Sequence, residues 1–334
     1  MRQKTMIDSD NIGLQFIFDL PDPIIITHGD VDGLCAAALL VREFKQNKIE
    51  VPIFITQPFS LKHVLKEIKS KDMKGHLIII DLALSEKSVD YLPIGCVVID
   101  HHPSTYEYSE LLKERGIYHL LDTNVSASQL VGRLVTETNF NKYLAKMGGV
   151  GDRIVFNKKM GRQSMKASSA MSLDPKDDKF RAFIIAELVK GKRLSEITEL
   201  NRRSKEAFHL LDEVKKKGEL LYNGENIVVK FYEDGFGRAS VLASKLSVAM
   251  DKVALVVTLM KGNTKQYLVT GRSPERNGKP VMNIRTFVSE LKTGGDGGGL
   301  EKAASCTIKK VHIGDFIEQV ELNDKRIQKE KVAD

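Results

Sequence analysis

The stretch Pro23-Ile24-Ile25-Ile26-Thr27-His28-Gly29-Asp30-Val31-Asp32-Gly33 decides how this chain reads. Its apolar opening has the length and β-branched content of a buried strand, and the Ala- and Leu-rich residues 34–46 predict a helix directly after it. The pattern repeats down the first half. Residues 51–55 predict a second strand and 61–69 an amphipathic helix. Leu77-Ile78-Ile79-Ile80 and Val97-Val98-Ile99 predict a third and fourth strand, and residues 117–121 a fifth. Strands alternating with helices predict an α/β fold with a mainly parallel sheet covered on both faces.

In such a sheet, functional groups gather where strands end. Here His28, Asp30 and Asp32 follow the first strand, Asp81 follows the third, and Asp100-His101-His102 close the fourth. Asp152 comes later, behind Gly148-Gly149-Val150-Gly151, which reads as a break after a helical stretch over 126–147. Five carboxylates and three imidazoles on one edge repel and desolvate one another unless cations join them. Mixed oxygen and nitrogen donors suit Mn²⁺, with Mg²⁺ or Co²⁺ as other occupants. Two such ions sharing a carboxylate point to phosphoester hydrolysis.

The remainder bounds this reading without sharpening it. The 334 residues suffice for two domains, and a formal charge of +7 suits an anionic partner such as nucleic acid. Cys35, Cys96 and Cys306 are far apart and form no C-x-x-C pair, so neither a disulfide framework nor a zinc knuckle is expected. The N-terminal residues carry scattered charges rather than a secretory apolar core, and no run approaches the ~18 apolar residues of a membrane span. A cytoplasmic protein is the expectation.

Between Arg153 and Arg181, eight Lys or Arg stand against three Asp, which reads as an exposed basic connection able to line a single-strand path. Helical patterns return at 180–190 and 195–217, and strands at 227–229, 253–257 and 266–270. The composition therefore divides the chain into 1–219 and 220–334, the second part a smaller α/β domain across a cleft. Gly294-Gly295-Asp296-Gly297-Gly298-Gly299 looks too glycine-dense for a strand and reads as an anion-binding loop opening a helix at Leu300. Arg272 offers a planar fork for phosphate beside Ser273. Ser126 and Ser128 read as helix caps, with substrate binding as the alternative.

These residues resemble the DHH phosphoesterase superfamily, whose motifs are H-x-D-x-D-G, a strand-ending Asp, D-H-H and a later Asp. They stand here as His28/Asp30/Asp32/Gly33, Asp81, Asp100/His101/His102 and Asp152. The second half resembles the DHH-associated domain through Gly271-Arg272-Ser273 and Gly297-Gly298-Gly299 ahead of Ala303-Ala304. The form of the whole is similar to archaeal RecJ-like nucleases of the type associated with GINS.

The resemblance implies one ion on His28, Asp30 and Asp81, and another on Asp32, Asp81, His101 and Asp152, with Asp81 bridging. Asp100 would orient a ligand histidine, and His102 would face the scissile phosphate. Arg272, Ser273 and Gly297 to Gly299 would hold substrate. The implied activity is exonucleolytic release of mononucleotides from single-stranded DNA or RNA by an activated hydroxide, in replication or repair. Hydrolysis of short oligonucleotides or phosphoadenosine phosphate, and a GINS-binding scaffold role, are the alternatives. One departure stands out, because Leu300 and Ser305 occupy positions where the family motif carries histidine and glycine.

Overall fold

The computed structural model describes residues 14–233, 237–260, 263–291 and 294–333, so the first thirteen residues of the N-terminal segment lie outside the described part. The chain divides into two compact units between Ser204 and Lys205. That point falls inside a helix, ahead of residue 220, where the composition turns strand-rich.

The first unit runs α1 (Leu14–Phe18), β1 (Ile24–His28), α2 (Val31–Gln46), β2 (Ile53–Thr56), α3 (Leu61–Ser70), β3 (Leu77–Ile80), α4 (Glu86–Val89) and β4 (Val97–Asp100). It continues through α5 (Pro103–Tyr106), α6 (Ser109–Glu114), β5 (Tyr118–Leu121), α7 (Ala127–Gly132), α8 (Asn139–Gly151), α9 (Lys158–Met171) and α10 (Asp178–Val189). Its sheet is wholly parallel in the order β2-β1-β3-β4-β5. Both faces are buried, which explains the unbroken apolar runs. Ile25, Ile78, Ile80, Val97 and Ile99 face α2, α7, α8 and α10. Ile24, Ile26, Ile79 and Val98 face the other way, toward Leu61 and Ile68 of α3 and Leu112 of α6.

The strand order reverses direction at the β1/β3 boundary. In open parallel sheets that reversal opens a crevice at the carboxyl edge, where ligands bind. His28 and Asp81 stand at its two lips.

Three sequence expectations are corrected here. The stretch 126–147 is two helices, α7 and α8, because Ser126 caps the first with a full capping box and Thr138 caps the second. Gly148 to Gly151 is the last turn of α8 rather than a break. A Cβ on Gly148 would lie 2.0 Å from both Asp32 Oδ1 and Ser128 Oγ, so the glycine exists for close approach. The basic stretch 153–181 is mostly helical, as α9 and the start of α10, since Ala167, Ala170, Met171 and Phe180 bury a face against the core.

Helix α11 (Thr198–Lys216) leads into the second unit. There follow β6 (Glu219–Asn223), β7 (Ile227–Tyr232), α12 (Ala239–Met250), β8 (Val253–Met260), β9 (Asn263–Arg272), and the small hairpin β10 (Glu275–Arg276) and β11 (Lys279–Pro280). The chain ends with α13 (Ile284–Glu290), β12 (Gly294–Leu300), β13 (Ala303–Lys309) and α14 (Ile313–Ala333). The main sheet is mixed, ordered β12-β13-β9-β8-β7-β6, with β7 and β8 parallel. Its core packs against α13 and α14 on one face and α12 on the other.

The glycine block is therefore an edge strand, not a loop, and no helix opens at Leu300. Backbone pairing of Gly297, Gly298, Gly299 and Leu300 with Cys306, Ser305, Ala304 and Ala303 closes a two-residue hairpin turn over Glu301 and Lys302. Gly299 has φ +144, and a Cβ there would meet Ala303 O at 2.4 Å. Side-chain propensity disfavours glycine in strands, but ladder bonds and close approach override it here.

Candidate metal centre

Every titratable group that the sequence puts at strand ends reaches one place. Asp30 caps α2, its Oδ1 accepting from Gly33 N at 3.0 Å, and so stands beside His28 at the end of β1. Asp32, in the first turn of α2, is fully buried. Its Oδ2 accepts from Ala127 N at 2.7 Å and its Oδ1 from Ser128 N at 3.1 Å, so the start of α7 fixes both oxygens. Each oxygen keeps a further lone pair.

Asp81 turns the chain after β3 in the left-handed region, at φ +58, with its N–H donating to Ile99 O at 2.9 Å. That conformation costs a side-chain-bearing residue energy, and among such residues Asp and Asn tolerate it best. Asp152 is the residue that ends α8.

The distances join these groups into one cluster. His28 Nδ1 lies 3.1 Å from Asp30 Oδ2 and 3.7 Å from Asp81 Oδ2. His101 Nε2 lies 3.3 Å from Asp81 Oδ1 and 3.0 Å from Asp152 Oδ2. Donor atoms of His28, Asp30 and Asp81 fall within 4.8 Å of one another, and so do those of Asp32, Asp81, His101 and Asp152. Asp81 belongs to both sets. His101 and His102 stand with ring centroids 4.5 Å apart.

Asp100 Oδ1 is 2.8 Å from His102 Nδ1, so the histidine it orients is His102, which forms with Asp81, Asp100 and His101 a third group of donors within 4.8 Å of one another. The reason is geometric: Asp100 is wholly buried at the strand end, and His102 folds back over it.

The electrostatics are those of a site built around positive charge. Burial raises the Asp32 carboxyl well above its ordinary range, and Asp81, Asp152 and Asp30 push it further the same way. Burial likewise carries Asp152 up to about 6 against the opposing pull of His101. Burial depresses His101, yet Asp152 and Asp81 outweigh it and carry the imidazole up to about 11. His28 is raised well above its usual value in the same way, by Asp30 and Asp81 against burial.

Protons are thus held where divalent cations would go. Asp81 Oδ2 and His28 Nδ1 are buried without a hydrogen-bond partner, which is costly for groups that nothing else satisfies. Carboxylate oxygens with one imidazole per set fit Mn²⁺ or Mg²⁺, and fit a soft thiolate-seeking metal poorly.

Three supports escaped the sequence reading. Gln57 Oε1 is 3.0 Å from His28 Nε2, and its place just after β2 at the same carboxyl edge was the available signal. The N–H groups of Ala127 and Ser128 anchor Asp32, which their position at a helix start foreshadows. Arg181, only 6% exposed, donates from Nε to Gly29 O at 2.9 Å and holds the His28–Asp30 turn. No local pattern marked Arg181, which sits inside the stretch that read as exposed.

Arg272, Ser273 and the glycine strand lie in the second unit. Arg272 donates to Ser244 Oγ at 3.2 Å, Ser240 Oγ at 2.5 Å and Gly271 O at 3.0 Å. Ser273 Oγ accepts from Met282 N at 3.0 Å.

The fold and site define a doubly wound α/β domain with an acidic cluster, able to hold divalent cations, at its topological switch point. Residues 23–150 match the model of the DHH family, N-terminal domain. The fold is also that of RecJ from Thermus thermophilus, solved with Mn²⁺, at TM-score 0.61 and 16% identity. That match covers 94% of this chain but 53% of RecJ, so the chain spans about half the length of that protein.

The pGpG-specific phosphodiesterase PggH from Vibrio cholerae matches at TM-score 0.57 and 15% identity, over 91% of this chain and 98% of PggH. An exonuclease RecJ bound to manganese matches at TM-score 0.55 and 14% identity, over 91% and 90%. No curated protein matches in sequence. Among the described residues, no helix is long and apolar enough to cross a membrane.

Proposed function

We propose that this chain is a divalent-metal-dependent phosphodiesterase that removes mononucleotides from the end of single-stranded DNA or RNA. The observation that carries it is the pair of donor sets sharing a buried, part-unpartnered Asp81. The DHH family match and the phosphodiesterases among the structural neighbours support it. His28, Asp30 and Asp81 would hold one ion, and Asp32, Asp81, His101 and Asp152 the other, with Mn²⁺ the favoured metal. Bound there, two divalent cations supply positive charge for a phosphate and lower the pKa of water.

The chain's own groups do the rest. Asp100 fixes the ring of His102 by accepting from Nδ1, which leaves Nε2 to meet a phosphate oxygen where negative charge develops. The α7 N–H groups keep Asp32 from swinging, and Arg181 pins the Gly29 carbonyl between His28 and Asp30. Arg272, Ser273 and the glycine strand are proposed as the second unit's contacts to substrate.

The test uses 5′- and 3′-labelled single-stranded DNA and RNA with Mn²⁺, beside Asp81→Asn, which retains the residue size and the left-handed backbone preference. Stepwise ladders from the natural chain and none from the variant are expected. Turnover confined to dinucleotides or phosphoadenosine phosphate would move the substrate to small molecules. No turnover of any phosphodiester would overturn the reading and favour a scaffold role, which a pull-down with GINS would then address.

A further inference from the structure

Phe156 stands four residues beyond Asp152, in the link between α8 and α9, with 94% of its surface exposed. A phenyl ring in water gives up the stabilisation that burying it would bring. Nor does Phe156 hang on a loose loop. Ile154 N and Val155 N both donate to Gly149 O at 2.9 Å, and Arg153 N donates to Val150 O at 3.2 Å. On its other side Asn157 caps α9, accepting from Met160 N at 3.0 Å. The ring is therefore presented from fixed backbone. Four residues of chain span at most ~14 Å, so it stands close to the Asp152 side of the cluster.

The charged residues around it in the sequence beyond Asp152 are of one sign. From residue 153 to 173 the chain carries Arg153, Lys158, Lys159, Arg162 and Lys166 and no Asp or Glu. None of these five forms an ion pair among the described residues, whereas Arg181, Lys190, Arg202 and Arg203 do. An exposed aromatic among unopposed cations, beside a phosphodiester-cleaving centre, matches a polyanion that carries flat apolar rings at intervals.

Resting on the phosphodiesterase reading above, we infer that Phe156 is a positioning residue that stacks on a base of the single-stranded substrate. Arg153, Lys158, Lys159 and Arg162 flank it as phosphate contacts. The ring grips any base, because every base has a π face, and so holds the strand without reading its sequence. The backbone phosphates then register against the metal centre.

The test is equilibrium binding in EDTA, by fluorescence anisotropy. It compares a labelled thymidylate oligomer with an oligomer of equal length whose sugars carry no base. Stacking of one base is worth about a tenfold change in affinity. Phe156→Ala is expected to weaken the base-bearing oligomer by about that factor and to leave the base-free one nearly unchanged. Phe156→Trp should retain the preference, and Phe156→Leu should lose it although it remains apolar.

Equal losses on both oligomers, no loss on either, or full retention by Phe156→Leu would each overturn the assignment. So would failure of the natural chain to prefer the base-bearing oligomer. The phosphodiesterase reading fails separately, by absence of Mn²⁺-dependent turnover in the natural chain, and this binding assay does not depend on turnover.

Discussion

At the carboxyl edge of the parallel sheet, Asp30, Asp32, Asp81 and Asp152 crowd together, and Asp81 Oδ2 has no hydrogen-bond partner. On the mixed sheet, Arg272 and Ser273 are bonded to Ser240, Ser244 and Met282 of their own unit. A folded chain tolerates the first arrangement only with help from outside, because like charges in a buried site destabilise it. The second needs none. The difference teaches where to look for chemistry: at the polar groups that the fold gathers and leaves short of partners.

The largest expected effect breaks the first region at its shared residue. Asp81→Asn removes one charge from both donor sets, and with it several kcal/mol of charge stabilisation at a reacting phosphate, so turnover should fall by about 10³-fold or more. The natural chain should gain thermal stability with Mn²⁺, by about 2.7 kcal/mol at a hundred times the dissociation constant. The variant should lose most of that gain in a melting assay with and without metal. A variant that keeps both its activity and its Mn²⁺-dependent shift would show that the cluster is not a two-ion centre.

A second cut separates holding the ions from aligning the substrate. Asp100→Asn weakens the hold on His102 while leaving both donor sets intact, so activity should drop about 10–100-fold. The melting shift with Mn²⁺ should stay close to that of the natural chain. Loss of the metal shift in this variant would place Asp100 among the ligands instead.

What the sequence made legible follows the same divide. The parallel sheet was readable because its strands are buried on both faces, so Ile24 to Ile26, Leu77 to Ile80 and Val97 to Ile99 are uninterrupted apolar runs, closed at their carboxyl ends by His28 after Thr27, by Asp81 and by Asp100. Periodicity and strand-end position carry that information locally. The glycine block was misread because its strand rests on ladder bonds to β13, which no side-chain pattern encodes. Arg181 was missed for a related reason: a basic residue in a basic stretch looks solvated until a partner 152 positions away, the Gly29 carbonyl, is placed against it. Gly148 looked like a break because glycine in a helix is costly, whereas here it is the only residue that lets α8 touch Asp32 and Ser128.

Two glycine-to-alanine changes put the two regions on one scale. Gly148→Ala would force a Cβ to 2.0 Å from Asp32 Oδ1, and Gly299→Ala would force one to 2.4 Å from Ala303 O. Overpacking of this kind costs about 1–3 kcal/mol, read as a lower denaturation midpoint at unchanged slope. The contrast lies in the metal response. Gly148→Ala displaces Asp32 and should shrink the Mn²⁺-dependent melting shift, whereas Gly299→Ala should leave it intact. Equal loss of the shift in both would mean that the glycine strand supports the cation centre.

The smallest effect tests whether the mixed sheet takes part at all. Leu300, 52% exposed beside the hairpin turn, stands where the motif that the sequence resembles carries histidine. Leu300→His should change stability by no more than about 0.5 kcal/mol, since an exposed turn residue has little packing to lose. At pH 6 the imidazole carries substantial positive charge and adds a donor beside the glycine N–H groups. If a phosphate reaches the glycine strand, affinity for a single-stranded oligomer should rise about 2–10-fold, the net worth of one hydrogen bond. The rise should fade by pH 8 as the ring loses its proton. An unchanged affinity at both pH values would leave the strand as an ordinary sheet edge and confine substrate recognition to the first unit, where the unsatisfied charges are.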